Sequence, residues 1–122
     1  MRIVKIVEET SGVVIGDRVE IANTSRKRLV GLLGRRHLDA GAGLWIRPSS
    51  GVHTMGMKFT IDVIGIDKNL KVVNLWSDLV PLRVTKLSWS MRSAIELPAG
   101  RIRECGVAIG DQLKLSASQL AD

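Results

Sequence analysis

The stretch from His53 to Val63, His-Thr-Met-Gly-Met-Lys-Phe-Thr-Ile-Asp-Val, constrains the fold more than any other part of the chain. Taken two at a time, His53, Met55, Met57, Phe59, Ile61 and Val63 fall on one side, and Thr54, Gly56, Lys58, Thr60 and Asp62 on the other. A period of two sustained over this length predicts a β-strand lying over a core. Directly after it, Ile64, Gly65 and Ile66 are apolar on both sides, so Asp62 stands where the strand passes into full burial.

The flanking segments predict more strands. Residues 2–8 are rich in Ile and Val, and a Thr10-Ser11-Gly12 turn leads into 13–15. Gly16-Asp17 reads as a turn into a half-buried strand over 18–22, and Gly110-Asp111 repeats that pattern ahead of a last strand over 112–115. Asn23-Thr24-Ser25 supplies N-cap chemistry for a helix over 25–33, with Leu29, Leu32 and Leu33 as its apolar stripe. Gly31 inside that helix makes sense where another backbone packs closely, and Gly34 suits a left-handed cap. Strands are also expected over 44–46 and 94–97, a hairpin over 59–76 turning at Asp67-Lys68-Asn69, and one helical turn over 101–105. Gly65 within a strand marks a bulge or a close backbone approach. The expected fold is mainly β: a compact antiparallel β-sandwich or barrel with one short α-helix near residues 25–33. Residues 1–115 form the single domain and 116–122 a frayed polar tail.

A chain of 122 residues buries roughly two thirds of its unfolded surface without staples, and its lone Cys105 offers no disulfide framework. Cys105 reads as a structural thiol. The N-terminal residues carry charge throughout and lack the apolar run of a leader, and no stretch approaches a membrane span, so a cytoplasmic location is expected. The net charge of +6 favours anionic partners, unless it serves only to keep the protein dispersed. Arg26, Lys27 and Arg28 at the start of the expected helix, with Arg35 and Arg36 beyond its end, form either an anion site or a solvated basic face.

Acid–base chemistry would draw on Asp62, Glu96, His53 and Lys58. Lys58 and Asp62 share a strand face about 13 Å apart. His53 falls on the apolar side and reads as a hydrogen-bonded core residue unless Gly56 introduces a bulge. Asp62 reads either as a structural carboxylate, bonded to backbone N–H groups or paired with Arg28 or Arg35, or as the polar anchor of a pocket. Metal binding is not expected, because two His and one Cys show no ligand spacing, and no cofactor motif is present. Nucleic-acid binding has the charge but few stacking residues: no Tyr, one Phe and three Trp.

Five segments in register resemble the "domain of unknown function 192" family of bacteria and archaea. They are Arg28-Leu29-Val30-Gly31-Leu32-Leu33-Gly34-Arg35, Gly43-Leu44-Trp45-Ile46, the run from Val52 to Val63, Ile95-Glu96-Leu97-Pro98-Ala99-Gly100, and Val107-Ala108-Ile109-Gly110-Asp111. Together they cover roughly residues 13 to 115. The resemblance implies a compact, mainly β fold with a helix near the N-terminus and brings no established activity. Met55 stands where the family usually has Phe, Thr60 where it often has Pro, and Gly65 where it has a bulky apolar residue. His53, Lys58, Asp62 and Glu96 are kept.

These readings favour a small non-enzymatic β module that binds a ligand or a protein partner. Its site is expected at the sandwich mouth, where Thr54, Lys58 and Asp62 meet Arg28 and Arg35, with His53 and Glu96 as further candidates. Trp45 or Trp89 would form an apolar wall unless both pack in the core. An anionic or sugar-like ligand suits that set. The alternatives are a hydrolase-like or other enzyme using Asp62 or Glu96 with His53, and a basic protein contacting nucleic acid.

Overall fold

In a computed structural model, which describes residues 2–24, 32–54 and 57–117, strands form where β-branched residues alternate or run together. The elements are β1 (Ile3–Glu8), β2 (Val14–Ala22), β3 (Ala42–Ile46), β4 (Ile61–Ile66), β5 (Val72–Leu79), β6 (Ser93–Pro98), α1 (Arg101–Cys105) and β7 (Leu113–Ala117). They make one seven-stranded sheet in the order β5-β4-β6-β3-β2-β1-β7. The fold is mainly β, as expected, and the sheet curls into a half-barrel. The sheet is mixed rather than wholly antiparallel, because β2 and β3 pair in parallel, Arg18 opposite Ala42 through Ala22 opposite Ile46. Parallel neighbours need a long crossover, and residues 23–41 supply it.

Curling brings the two sheet edges together at one end. Lys71 bridges Gln112, Gly110 N–H donates to Val72 C=O (2.8 Å), and Leu113 N–H donates to Leu70 C=O (2.9 Å). These bonds join the starts of β5 and β7 and satisfy edge groups that would otherwise stand open.

Both faces of the central strands are covered, so β4 is buried at every position and β6 at all but Pro98. One face carries a cluster that includes Ile6, Ile15, Val19, Trp45, Ile64, Ile95 and Leu97, closed by Ile102 of α1 and Leu113. The other carries Ala22, Leu44, Ile61, Val63 and Ala94, covered by Leu32, Val52, Met57 and Met91. Continuous apolar runs in β4 and β6 follow from this two-sided burial.

Several local expectations change. The long strand from His53 is not formed: β4 begins at Ile61, and His53 makes only an isolated bridge to Val84. The side assignment nevertheless holds from Met57 onward, since Met57, Phe59, Ile61 and Val63 all pack on the second cluster. Gly16-Asp17 is no turn. It lies within β2, where Asp17 and Arg18 N–H both donate to Gly41 C=O and the register against β1 shifts. A Cβ on Gly16 would stand 2.8 Å from Val19 Cγ2, so glycine is there for close packing. Gly110 does turn, with φ +98°. The helix expected over 25–33 lies mostly outside the described residues; Leu32 is buried and Gly34 has φ +82°. The tail over 118–122 also lies outside them.

Gly65 meets its expectation of a close approach, because a Cβ there would lie 2.7 Å from Met91 Sδ and 3.0 Å from Asn74 Cβ. Gly43 is tighter in kind: its Cβ would meet the Glu96 carbonyl oxygen at 2.9 Å and Leu97 Cδ2 at 3.0 Å. Backbone of a paired strand cannot step aside as a thioether can. Gly43→Ala is therefore expected to lower stability by about 2 kcal/mol, an overpacking cost, read by urea denaturation. A change below about 0.5 kcal/mol would mean β3 and β6 have slack that this packing denies.

Candidate functional site

Asp62 is fully buried on the α1 side of the sheet, and both carboxylate oxygens are used. Oδ1 accepts the N–H of Asp78 and Oδ2 the N–H of Ile102, each at 2.9 Å. No arginine pairs with it among the described residues; Arg35 instead reaches Glu20 at 3.1 Å. α1 has a left-handed Gly100 at its N-cap and no side-chain cap of its own. Asp62 fills that role from across the fold, as orphan N–H groups at a helix start require.

Thr54 is also fully buried and also bonded to backbone. Its Oγ1 donates to Val80 C=O (2.6 Å) and accepts the N–H of Arg83 (2.8 Å). His53 and Lys58 are exposed, so His53 is not the core residue its apolar-side position suggests. The reason is local: 50–54 pairs with 82–88 as a ribbon, which inverts the sides of His53 and Thr54. Trp45 packs in the core, its Nε1 donating to Ser93 Oγ at 2.8 Å. Trp89, by contrast, is 96% exposed.

Glu96 is buried on the opposite face from Asp62. In the β4–β6 register Asp62 stands beside Leu97, whereas Glu96 stands beside Val63 and, on its other flank, Leu44. Among the described residues no hydrogen bond reaches its carboxyl, and burial pushes its pKa up to about 7. Asp62 and Glu96 therefore cannot act on one substrate atom, and His53 faces solvent. The expected mouth is not assembled from these groups, and Arg28 lies outside the described residues.

Two clefts remain. The smaller, about 250 Å³, is lined by Arg18, Glu20, Arg35, His37 and Asp39 among others. Its cations have partners within it: Arg35 with Glu20, and His37 Nε2 with Asp39 at 3.0 Å. The larger, about 580 Å³, lies at the sheet end where β1 begins, β2 and β3 finish and β6 starts. Arg2, Arg47 and Arg92 line it with Asn23, Ser93 and Trp45, and no carboxylate does among the described residues. The Arg47 guanidinium sits 4.3 Å from the Trp45 ring centroid, a cation–π contact that fixes a planar, multidentate donor. Reading along the sequence misses this group because three arginines far apart in the chain meet only after the sheet forms. Among the described residues, no cluster of three or more His, Cys, Asp or Glu could hold a metal ion, and no helix is long and apolar enough to cross a membrane.

The chain's likeness to other proteins is at the level of fold and family. A protein of unknown function from Novosphingobium aromaticivorans DSM 12444 superposes with a TM-score of 0.78 at 23% identity, covering 92% of this chain and 83% of that one. A candidate transcription regulator from Sinorhizobium meliloti 1021 superposes with a TM-score of 0.76 at 21% identity, covering 94% and 96%. None of the curated proteins matches significantly. A model of an uncharacterised ACR family matches residues 6–115.

The two buried carboxylates separate in their expected behaviour. Asp62→Asn keeps one acceptor and turns an amide toward a backbone donor, which should cost about 2–4 kcal/mol in denaturant melts; an unchanged midpoint would show that the carboxylate is not what caps α1. Glu96 is protonated more readily folded (about 7) than at its ordinary value of 4.5. Between those values the native state holds the extra proton, so stability is full below about pH 4.5 and falls as pH rises to about 7, by up to ~3 kcal/mol from this group. Glu96→Gln should flatten that part of a stability–pH profile, and an equal slope in both proteins would assign the change to other groups.

Proposed function

The chain belongs to the DUF192 family, which is uncharacterised, and on the site's geometry we propose that it is a small, non-enzymatic β module whose arginine-lined cleft binds an anionic ligand. One observation supports this reading: three arginines and a tryptophan line one cleft of about 580 Å³. Guanidinium forks match carboxylate and phosphate oxygens bidentately. Ser93 and Asn23 add polar groups of the kind that orient a ligand. The ligand class is a small carboxylate- or phosphate-bearing molecule, acidic sugars included. Trp45 thus keeps a place at the site, whereas Asp62 and Thr54 are spent on backbone bonds. Asp62 and Glu96 lie on opposite sheet faces, so they do not form a pair of carboxylates at one site.

A thermal-shift series with inorganic phosphate, glucuronate and a neutral sugar tests this at low and high salt. A ligand at about 100 times its Kd stabilises by ~2.7 kcal/mol, roughly 10 °C for a domain of this size. An anion-specific shift that survives salt and is lost in both Arg2→Ala and Arg92→Ala is the expected outcome. A shift seen only with nucleic acid and abolished by salt would replace the cleft with phosphate contacts spread over the basic surface.

A further inference from the structure

Residues 50–54 and 82–88 form a two-stranded ribbon laid against the second core cluster. Thr54 N–H donates to Arg83 C=O (2.8 Å), Thr85 N–H to Val52 C=O (2.9 Å) and Ser88 N–H to Ser50 C=O (2.9 Å). Thr54 Oγ1 and Thr85 Oγ1 pin it further, the latter by accepting Val52 N–H. Its inward side chains are buried: Val52, Thr54 and, just beyond, Met91. Four large apolar side chains of the 82–89 segment are open to water. Leu82 is 65% exposed, Val84 72%, Leu87 74% and Trp89 96%. Leu82 also holds a left-handed φ of +66°, uncommon for a bulky residue. A packed, bonded ribbon thus spends its order on presenting four large apolar groups to water.

The charged residues that accompany these groups in the chain share one sign. Between Asp78 and Glu96 the chain holds Arg83, Lys86 and Arg92 and no acid; between Arg47 and Asp62 it holds Lys58 and no acid. All four cations are exposed. Aliphatic side chains, a fully exposed tryptophan and flanking Lys and Arg are what the boundary of an anionic bilayer accepts: the indole settles at the headgroup level and the cations meet lipid phosphates. A second copy is a poor occupant, since a two-fold pairing of ribbons would set cations against cations. We propose that this ribbon docks the protein on an anionic lipid surface, with Trp89 and Leu87 entering the interface. The proposal stands apart from the cleft, and neither depends on the other.

The full chain, mixed with vesicles of phosphatidylcholine with or without phosphatidylglycerol, gives the test. The protein should co-sediment with the anionic vesicles only, with its tryptophan emission shifted to the blue and shielded from acrylamide. Trp45 is already buried and Trp76 half-buried, so the change reports Trp89 first. Leu87→Ser/Trp89→Ser should weaken binding by roughly tenfold or more while leaving the thermal midpoint in place, because both side chains are exposed. Trp89→Phe should keep most of the binding and lose the blue shift. Three results would overturn the idea: no sedimentation of the wild-type chain, equal sedimentation of the double variant (adsorption by net charge alone), or a wild-type dimer in solution that the double variant dissolves.

Discussion

A single carboxylate ties α1 and the end of β5 to the sheet. Asp62 leaves β4 on the α1 side and receives one backbone N–H from the end of β5 and another from the first turn of α1. α1 has five residues and begins after a glycine that offers no side-chain cap; such a helix does not persist alone. Held by Asp62, it can seat Ile102 in the first cluster and direct Arg101 back to β2, where its guanidinium donates to the carbonyls of Val14 (2.6 Å) and Ile15 (3.0 Å). The cost of burying the charge is offset by two charge-assisted bonds, one of them at the positive end of the helix.

The two faces of the sheet are closed by different means, and Glu96 shows the difference. The α1 face is satisfied throughout: Asp62 is bonded, and Trp45 donates to Ser93. The other face is covered by a ribbon and by the crossover from β2 to β3, neither of which is a regular layer in the described residues. Glu20, Leu44, Glu96 and Val63 form one cross-strand row there. Glu20 lies toward the margin and keeps an arginine, whereas Glu96 lies under the cover, flanked by Leu44 and Val63. The raised pKa of Glu96 follows from that position, because burial favours the neutral acid.

Sheet elements were legible because burial on one or both faces writes itself into the sequence as alternation or as an apolar run. The hairpin of β4 and β5, the short β3, the turn of α1 and the close approach at Gly65 all follow from such signals. The segment from His53 to Thr60 misled because alternation reports which side chains face a core, not which backbone they pair with. Met57 and Phe59 do face inward, yet the backbone of 52–54 bonds to 82–85 rather than continuing β4. Trp89 was unreadable for the opposite reason: an exposed tryptophan carries no periodic mark, and core packing is the usual fate of the residue. The three arginines of the cleft come from a strand start, a strand end and a ribbon end, and only the strand order β6-β3-β2-β1 brings them together.

That arrangement also decides how the net charge of +6 is felt. The acids that bound the ribbon in sequence do little to neutralise it, since Asp62 is fully buried and committed to backbone, and Glu96 sits neutral-prone under a sheet face. Asp78 alone of the three remains at the surface, 3.9 Å from Arg103. Exposed Lys58, Arg83, Lys86 and Arg92 therefore act on solvent without local counter-charges from their own segments, and a field of one sign over an apolar patch is far more selective than either feature alone. Arg92 belongs to both features: its guanidinium lines the cleft, while its carbonyl accepts Ser49 N–H (2.8 Å) at the base of the ribbon.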